Sequence, residues 1–186
     1  MTATIYVASL TDYNAGELHG EWIDANQDPG AIMAEVESML TLSPTAKAEG
    51  CTAEEWAIHD YDGFGELRLS EWETFEDVAK FAELVDSHGA FLVEHFRNEA
   101  DDVDEIEDMI SERLAETVED CWGDEEDAIA EHILSLMDDG CFSDLPEWAE
   151  MYRDRIAEGM ARDARCGGEM FGLYEGGGTW HILRSF

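Results

Sequence analysis

The stretch IYVASLTDYNAGELHGEWIDA, residues 5–25, sets the fold class. Ile5–Leu10 reads as a β-strand and Glu17–Ile23 as its partner, with the Asn14–Gly16 run supplying the turn. Asp28-Pro29 then has the form of a helix start, a capping carboxylate followed by a first-turn proline. The helix is expected over about residues 29–40, with Ile32, Val36, Met39 and Leu40 as its apolar stripe and Pro44 helping to end it. Glu55–Tyr61 reads as another strand, so the first 60 or so residues form a small α+β unit.

Helices dominate the middle of the chain. Ser70 and Glu73 have capping-box spacing ahead of Phe75, Val78, Ala79 and Phe81. Ser87–Gly89 breaks that helix before a short one containing Phe91, Leu92, His95 and Phe96. The next is expected over about Asp102–Asp120, with Val103, Ile106, Ile110, Leu114, Ala115 and Val118 inward. Beyond Trp122-Gly123 another spans about Asp124–Asp139, burying Ala128, Ile129, Ile133, Leu136 and Met137 and capped by Gly140. A last helix opens near Asp144 and Pro146 and is expected to bury Trp148, Met151, Tyr152, Ile156 and Met160. Met170–Glu175, the Gly176–Gly178 loop and Thr179–Arg184 form a terminal hairpin. The class is therefore α+β. Trp56, Trp72, Trp122 and Trp148 are expected as core anchors, useful where each core is small.

Charge narrows the function. Forty-six acids against ten bases give a net charge of -36, while 45% hydrophobic residues and six Trp mark a chain that folds. So few cations exclude a nucleic-acid binder, which needs a basic footprint, and an anionic membrane surface repels the chain. A basic partner is the expectation. Neither a leader with an apolar core nor an apolar run of membrane-spanning length is found. Cys51, Cys121, Cys141 and Cys166 are widely spaced and read as reduced cytoplasmic thiols. The acids are concentrated: residues 99–150 carry twenty-one against Arg113 alone, whereas residues 151–186 carry five acids and five bases. A general adaptation to high salt spreads acids over every exposed face. A functional acidic surface with a neutral end suited to self-association fits the pattern better.

Asp104, Asp108, Glu112, Glu116 and Asp120 place a carboxylate at every fourth position of the expected helix. Four helical residues rise about 6 Å, a step of phosphate order, since each DNA strand carries one phosphate per roughly 3.4 Å of axis. Each like-charge pair at this spacing destabilises the helix by about 0.2–0.5 kcal/mol, a cost that a merely solvated face avoids by admitting Lys. The whole net charge equals that of roughly 18 base pairs of duplex.

Other chemistry is weaker in the sequence. Asp60, Asp62, Gly65, Leu67 and Glu71 fit five positions of an EF-hand loop, but Phe64 and Arg68 occupy two others and a strand precedes it. The six His and four Cys lack a compact zinc spacing. Carboxylate pairs occur by chance in so acidic a chain, and neither a nucleophile motif nor a phosphate loop accompanies them. No catalytic residue, metal or cofactor is expected.

Beyond these residue-by-residue readings, the opening stretch resembles the start of ArdA-type antirestriction proteins, in the order Tyr13-Asn14, Gly16, Leu18-His19-Gly20, Trp22-Ile23-Asp24-Ala25. IHDYDGFG (Ile58 to Gly65) is a second matching region, and DLPEWAEMYRDRIAEGMARD (Asp144 to Asp163) a weaker one. Tyr152-Arg153-Asp154-Arg155 departs from the acidic, aromatic Tyr-x-Asp-Tyr-type segment usual there. The resemblance implies a DNA mimic encoded on a mobile element, such as a conjugative plasmid or transposon. It implies an inhibitor that occupies the DNA-binding groove of type I restriction–modification enzymes and protects incoming DNA. It also implies an elongated tandem of three small domains: 1–66, mixed α/β; 67–121, helical; and 122–186, α+β and the site of homodimerisation. The expected binding carboxylates are Asp102, Asp104, Asp108, Glu112, Glu116, Asp120, Asp124, Glu125 and Asp127, supported by Asp60, Asp62, Glu73, Glu76 and Asp77. The alternative is an acidic interaction module or chaperone for a basic protein.

Overall fold

Strand β1 (Thr4–Ser9) lies between β2 (Gly20–Asp24) and β3 (Trp56–Asp62) in an antiparallel sheet. The computed structural model describes residues 2–137 and 147–185. Ile5 and Val7 on β1, Ile23 on β2 and Ile58 on β3 are buried in the sheet. Gly20 is obligatory for the first pairing: a Cβ there would come within 2.5 Å of the Val7 carbonyl oxygen. Where the sequence suggests a simple turn, the chain first makes a short helix, α1 (Leu10–Asn14), and then reverses at Gly16, φ 84°.

Helix α2 (Pro29–Thr41) starts as its sequence dictates. Asp28 accepts the Gly30 N–H at 2.9 Å, Pro29 sits in the first turn, and Ile32, Val36, Met39 and Leu40 are buried. Pro44 ends this helix and opens another, α3 (Pro44–Glu49), capped by Ser43. α4 (Phe75–His88) is capped by Thr74, which accepts the Asp77 N–H. The expected Ser70/Glu73 capping box instead builds the preceding turn, where Glu73 accepts the Ser70 N–H at 3.0 Å. Gly89, φ 81°, separates α4 from α5 (Ala90–Arg97).

The chain forms two compact units, Met1–Asp108 and Met109–Phe186. The division falls within α6 (Val103–Arg113). Helix α6 stops well before the expected Asp120, because Leu114–Val118 becomes strand β4 and pairs with β6 (Thr179–Arg184). β6 also pairs with β5 (Met170–Gly176), forming the expected terminal hairpin, so the second sheet has the order β4–β6–β5. The fold is α+β, with one small antiparallel sheet in each unit.

In the second unit, α7 (Glu125–Leu136) and α8 (Arg153–Gly167) pack on this sheet. Ala128, Ile129, Ile133, Ala157, Ala161, Val118 and Ile182 are central to the core. Three expectations are corrected here. The inward positions of α8 are Ala157 and Ala161, and these small side chains let the helix approach α7 closely; Ile156, Met160, Met151, Tyr152 and Trp148 are exposed, not buried. Leu136, expected inside, is exposed as well, because α7 ends there and Met137 is its C-cap. Trp72, Trp122 and Trp148 are likewise exposed, so of the four expected anchors only Trp56 is packed, against Phe75. The expected cap Gly140, the helix start at Asp144 and Pro146, and Cys141 lie outside the described residues. Among the described residues, no helix is long and apolar enough to cross a membrane.

Asp12 is fully buried in the first unit and accepts the Thr45 N–H at 2.9 Å, linking α1 to α3. Burial opposes its ionisation, but the Ser9, Ser43 and Thr45 hydroxyls and the Thr45 amide outweigh this and hold the carboxyl well below its ordinary 3.8. A depressed folded-state pKa stabilises above the unfolded value and loses that contribution as pH falls. Asp12→Ala is expected to lower unfolding stability by about 1–3 kcal/mol at neutral pH. Denaturant titrations from pH 7 downward should show this difference narrowing below about pH 4.

Candidate functional site

Helical periodicity places Asp104, Asp108 and Glu112 one turn apart on α6, and all three are exposed. Ile106 and Ile110 of the same helix are buried, so core positions and carboxylates are interleaved along one element. The row ends at Glu112. Glu116 lies on β4 opposite Ile182, and Asp120 follows the strand with φ 59°. The five-carboxylate helical row is thus corrected to three: the sheet pairing of Glu116, Thr117 and Val118 overrides the helical periodicity.

The other expected carboxylates divide by what holds them. Asp60, Asp62, Glu76, Asp102 and Asp120 are exposed. Asp102 accepts the Glu105 N–H at 3.2 Å in the first turn of α6. Asp124 and Asp127 form a reciprocal capping box at the start of α7, with the Asp124 N–H donating to Asp127 at 3.0 Å and the Asp127 N–H donating back at 3.1 Å. Glu125 accepts the Gly172 N–H at 2.9 Å, tying α7 to β5. Asp77 belongs to the α4 cap, and Glu73 is half-buried against Arg97 at 2.9 Å. Several acids therefore have structural duties at helix N-termini, where the backbone partial charge favours them.

Glu116 is the most tightly held of the fourteen. Its Oε2 lies 2.7 Å from Nδ1 of the buried His132 and accepts the Ser135 hydroxyl at 2.8 Å. Those two bonds, the His132 one first, hold its carboxyl below the ordinary value against the opposing effect of burial. The sequence gives little sign of this cluster, because its members come from a strand and a helix sixteen or more residues away. His181 is also missed: it is buried between Thr117, at 3.0 Å, and Glu175, at 2.9 Å. Few cations offset this surface. Lys80 reaches Glu107 at 3.1 Å, and Arg162 and Arg165 converge on Glu126.

The EF-hand-like stretch takes a different shape. Asp60 and Asp62 are strand residues whose carboxylates accept the N–H of the residue that comes next in each case, while Phe64 and Leu67 are buried. Among the described residues, no group of three or more His, Cys, Asp or Glu side chains is arranged to hold a metal ion.

A family model described as antirestriction protein, ArdA, matches residues 5–177. The chain belongs to the ArdA antirestriction protein family. No curated protein matches it. The ArdA match runs from β1 through both units and ends in the terminal hairpin, covering the exposed α6 row as well as the held carboxylates. Membership gives the protein an antirestriction function, exerted by an inhibitor protein that interacts with restriction enzymes.

The two kinds of carboxylate differ in what they contribute to stability. Glu116→Ala leaves the buried His132 ring without its carboxylate and is expected to destabilise the second unit by about 1–3 kcal/mol. Glu112→Ala should change stability by less than about 0.5 kcal/mol, or raise it slightly by removing repulsion. Thermal unfolding of the two variants side by side checks the contrast.

Proposed function

We propose that this ArdA protein inhibits type I restriction–modification enzymes by standing in for duplex DNA in their DNA-binding groove. The observation that carries the reading is the exposed row Asp104, Asp108 and Glu112, at a spacing of phosphate order, on a chain of net charge -36. Asp102, Glu76, Asp60, Asp62 and Asp120 are exposed as well and add to the acidic exterior of their units. Asp124, Asp127, Glu125, Asp77, Glu73 and Glu116 add charge while also holding the scaffold. Backbone-type electrostatics of this kind need no base reading, speed the encounter and weaken as salt rises. In the cytoplasm of a cell receiving a mobile element, occupying the groove leaves the incoming DNA uncut.

The protein acts as a homodimer paired through its second unit. The neutral charge balance of residues 151–186 and the exposed Trp148, Met151, Tyr152, Ile156 and Met160 support this. An apolar face of that composition, with little net charge to repel a copy of itself, suits a self-complementary interface.

Competition between this protein and duplex DNA for a type I enzyme tests the reading. Wild type is expected to displace the duplex, and less so as salt rises. A carrier of basic proteins would leave the duplex bound. Asp108→Asn alone should reduce inhibition less than about threefold, since the charge is shared among many contacts. Reversing Asp104, Asp108 and Glu112 to Lys together should reduce it by about tenfold or more. A folded triple variant that inhibits like wild type would refute the assignment of this row. For the dimer, Ile156→Glu with Met160→Glu is expected to halve the mass found by sedimentation while the far-ultraviolet circular dichroism stays unchanged.

A further inference from the structure

One cavity of the first unit, about 520 Å³ in volume, has aromatic walls in Trp56, Trp72 and Phe75 and an acidic lining in Glu54, Glu55, Glu73 and Glu76. Phosphate mimicry explains the acids but gives no reason for the aromatic walls. Trp56 and Phe75 are stacked, with ring centroids 4.3 Å apart and planes 15° from parallel, so they form a fixed platform. Trp72 lies in the turn before α4 and is 65% exposed although its backbone N–H is tied to the Ser70 hydroxyl. An exposed indole beside a stacked aromatic pair is a surface built to be covered.

The charge of the cavity decides what covers it. Glu73 is already paired with Arg97, but Glu54, Glu55 and Glu76 keep the lining acidic, which disfavours an anion. The N-terminus of α4 contributes roughly half a positive charge, which the Thr74/Asp77 cap and Glu76 more than offset. A cation that also stacks on aromatic faces is the complementary ligand, and among protein side chains the planar, weakly hydrated guanidinium suits this best. The same unit already satisfies one arginine in this manner. The Arg97 guanidinium lies 4.5 Å from the centre of the Phe81 ring and donates to Glu73 at 2.9 Å.

We propose that the cavity walled by Trp56, Trp72 and Phe75 receives an arginine side chain from the DNA-binding groove of the restriction enzyme. This rests on the DNA-mimic reading and adds to it a contact that DNA itself cannot make. Phosphate-like contacts weaken steeply with salt, whereas stacking of a partly desolvated guanidinium on indole is much less screened. The cavity therefore anchors the complex where the carboxylate surface alone would release it.

Affinity for a type I enzyme, measured over a range of salt concentrations, tests the anchor. Trp72→Ala is expected to weaken binding by about tenfold at every salt concentration, leaving the slope of log affinity against log salt unchanged. Trp72→Phe should recover most of the loss. The Lys triple variant of α6 should instead make that slope shallower. Trp72→Ala binding as tightly as wild type overturns the anchor and leaves DNA mimicry standing. If wild type does not compete with duplex at all, mimicry fails, and the cavity is decided by a direct probe. Titrating the peptide Gly-Arg-Gly into protein with isotope-labelled tryptophan should then perturb the Trp56 and Trp72 indole resonances, and Gly-Lys-Gly should not. Absence of any perturbation, or an equal effect of the lysine peptide, overturns the arginine site.

Discussion

Mutual repulsion among the acids is the constraint that the rest of the structure answers to. With 36 uncompensated charges, each small unit folds only because its apolar contacts outweigh the tendency of its own surface to fly apart. The answer has two parts. Cores are built from compact residues, such as the alanines and isoleucines shared by α7, α8 and the second sheet. Acids are also placed where backbone dipoles welcome them: Asp28 at α2, Asp77 at α4, Asp102 at α6, and Asp124 with Asp127 at α7. Charge that serves the exterior thereby also fixes helix starts.

The few cations complete this economy. Arg97, Arg162 and Arg165 each contact a glutamate, and Lys80 reaches Glu107. None of these pairs is fully buried, and each adds little stability by itself. Their value lies in quenching repulsion at points where two elements approach, as Lys80 of α4 does at Glu107 of α6, a helix in a stretch where Arg113 is the one base between residues 99 and 150.

Local chemistry makes much of the fold legible in the sequence. The Asp28-Pro29 start of α2, the Gly89 break and the terminal hairpin depend on residues within a few positions of each other, and each stands where expected. The end of α6 is not legible, because Leu114, Ala115 and Val118 satisfy a helical stripe as well as a strand, and only pairing with β6, some 65 residues away, decides between them. The face of α8 eludes the sequence for a related reason. Size favours burying Ile156 and Met160, but close approach to α7 favours Ala157 and Ala161. For the candidate site, the sequence locates the acidic surface but does not separate carboxylates held inside the scaffold, such as Glu116, from those left outside. The aromatic cavity is hidden because Trp72 reads as a core residue.

The alanine seam between α7 and α8 has a consequence for how such a protein can change. A seam of single-methyl side chains tolerates almost no substitution, since any larger group forces the two helices apart. The opposite side of α8 is exposed at Ile156 and Met160. One helix therefore carries a frozen inheritance on one side and an editable surface on the other, so a lineage can acquire new mates or lose old ones without renegotiating its architecture.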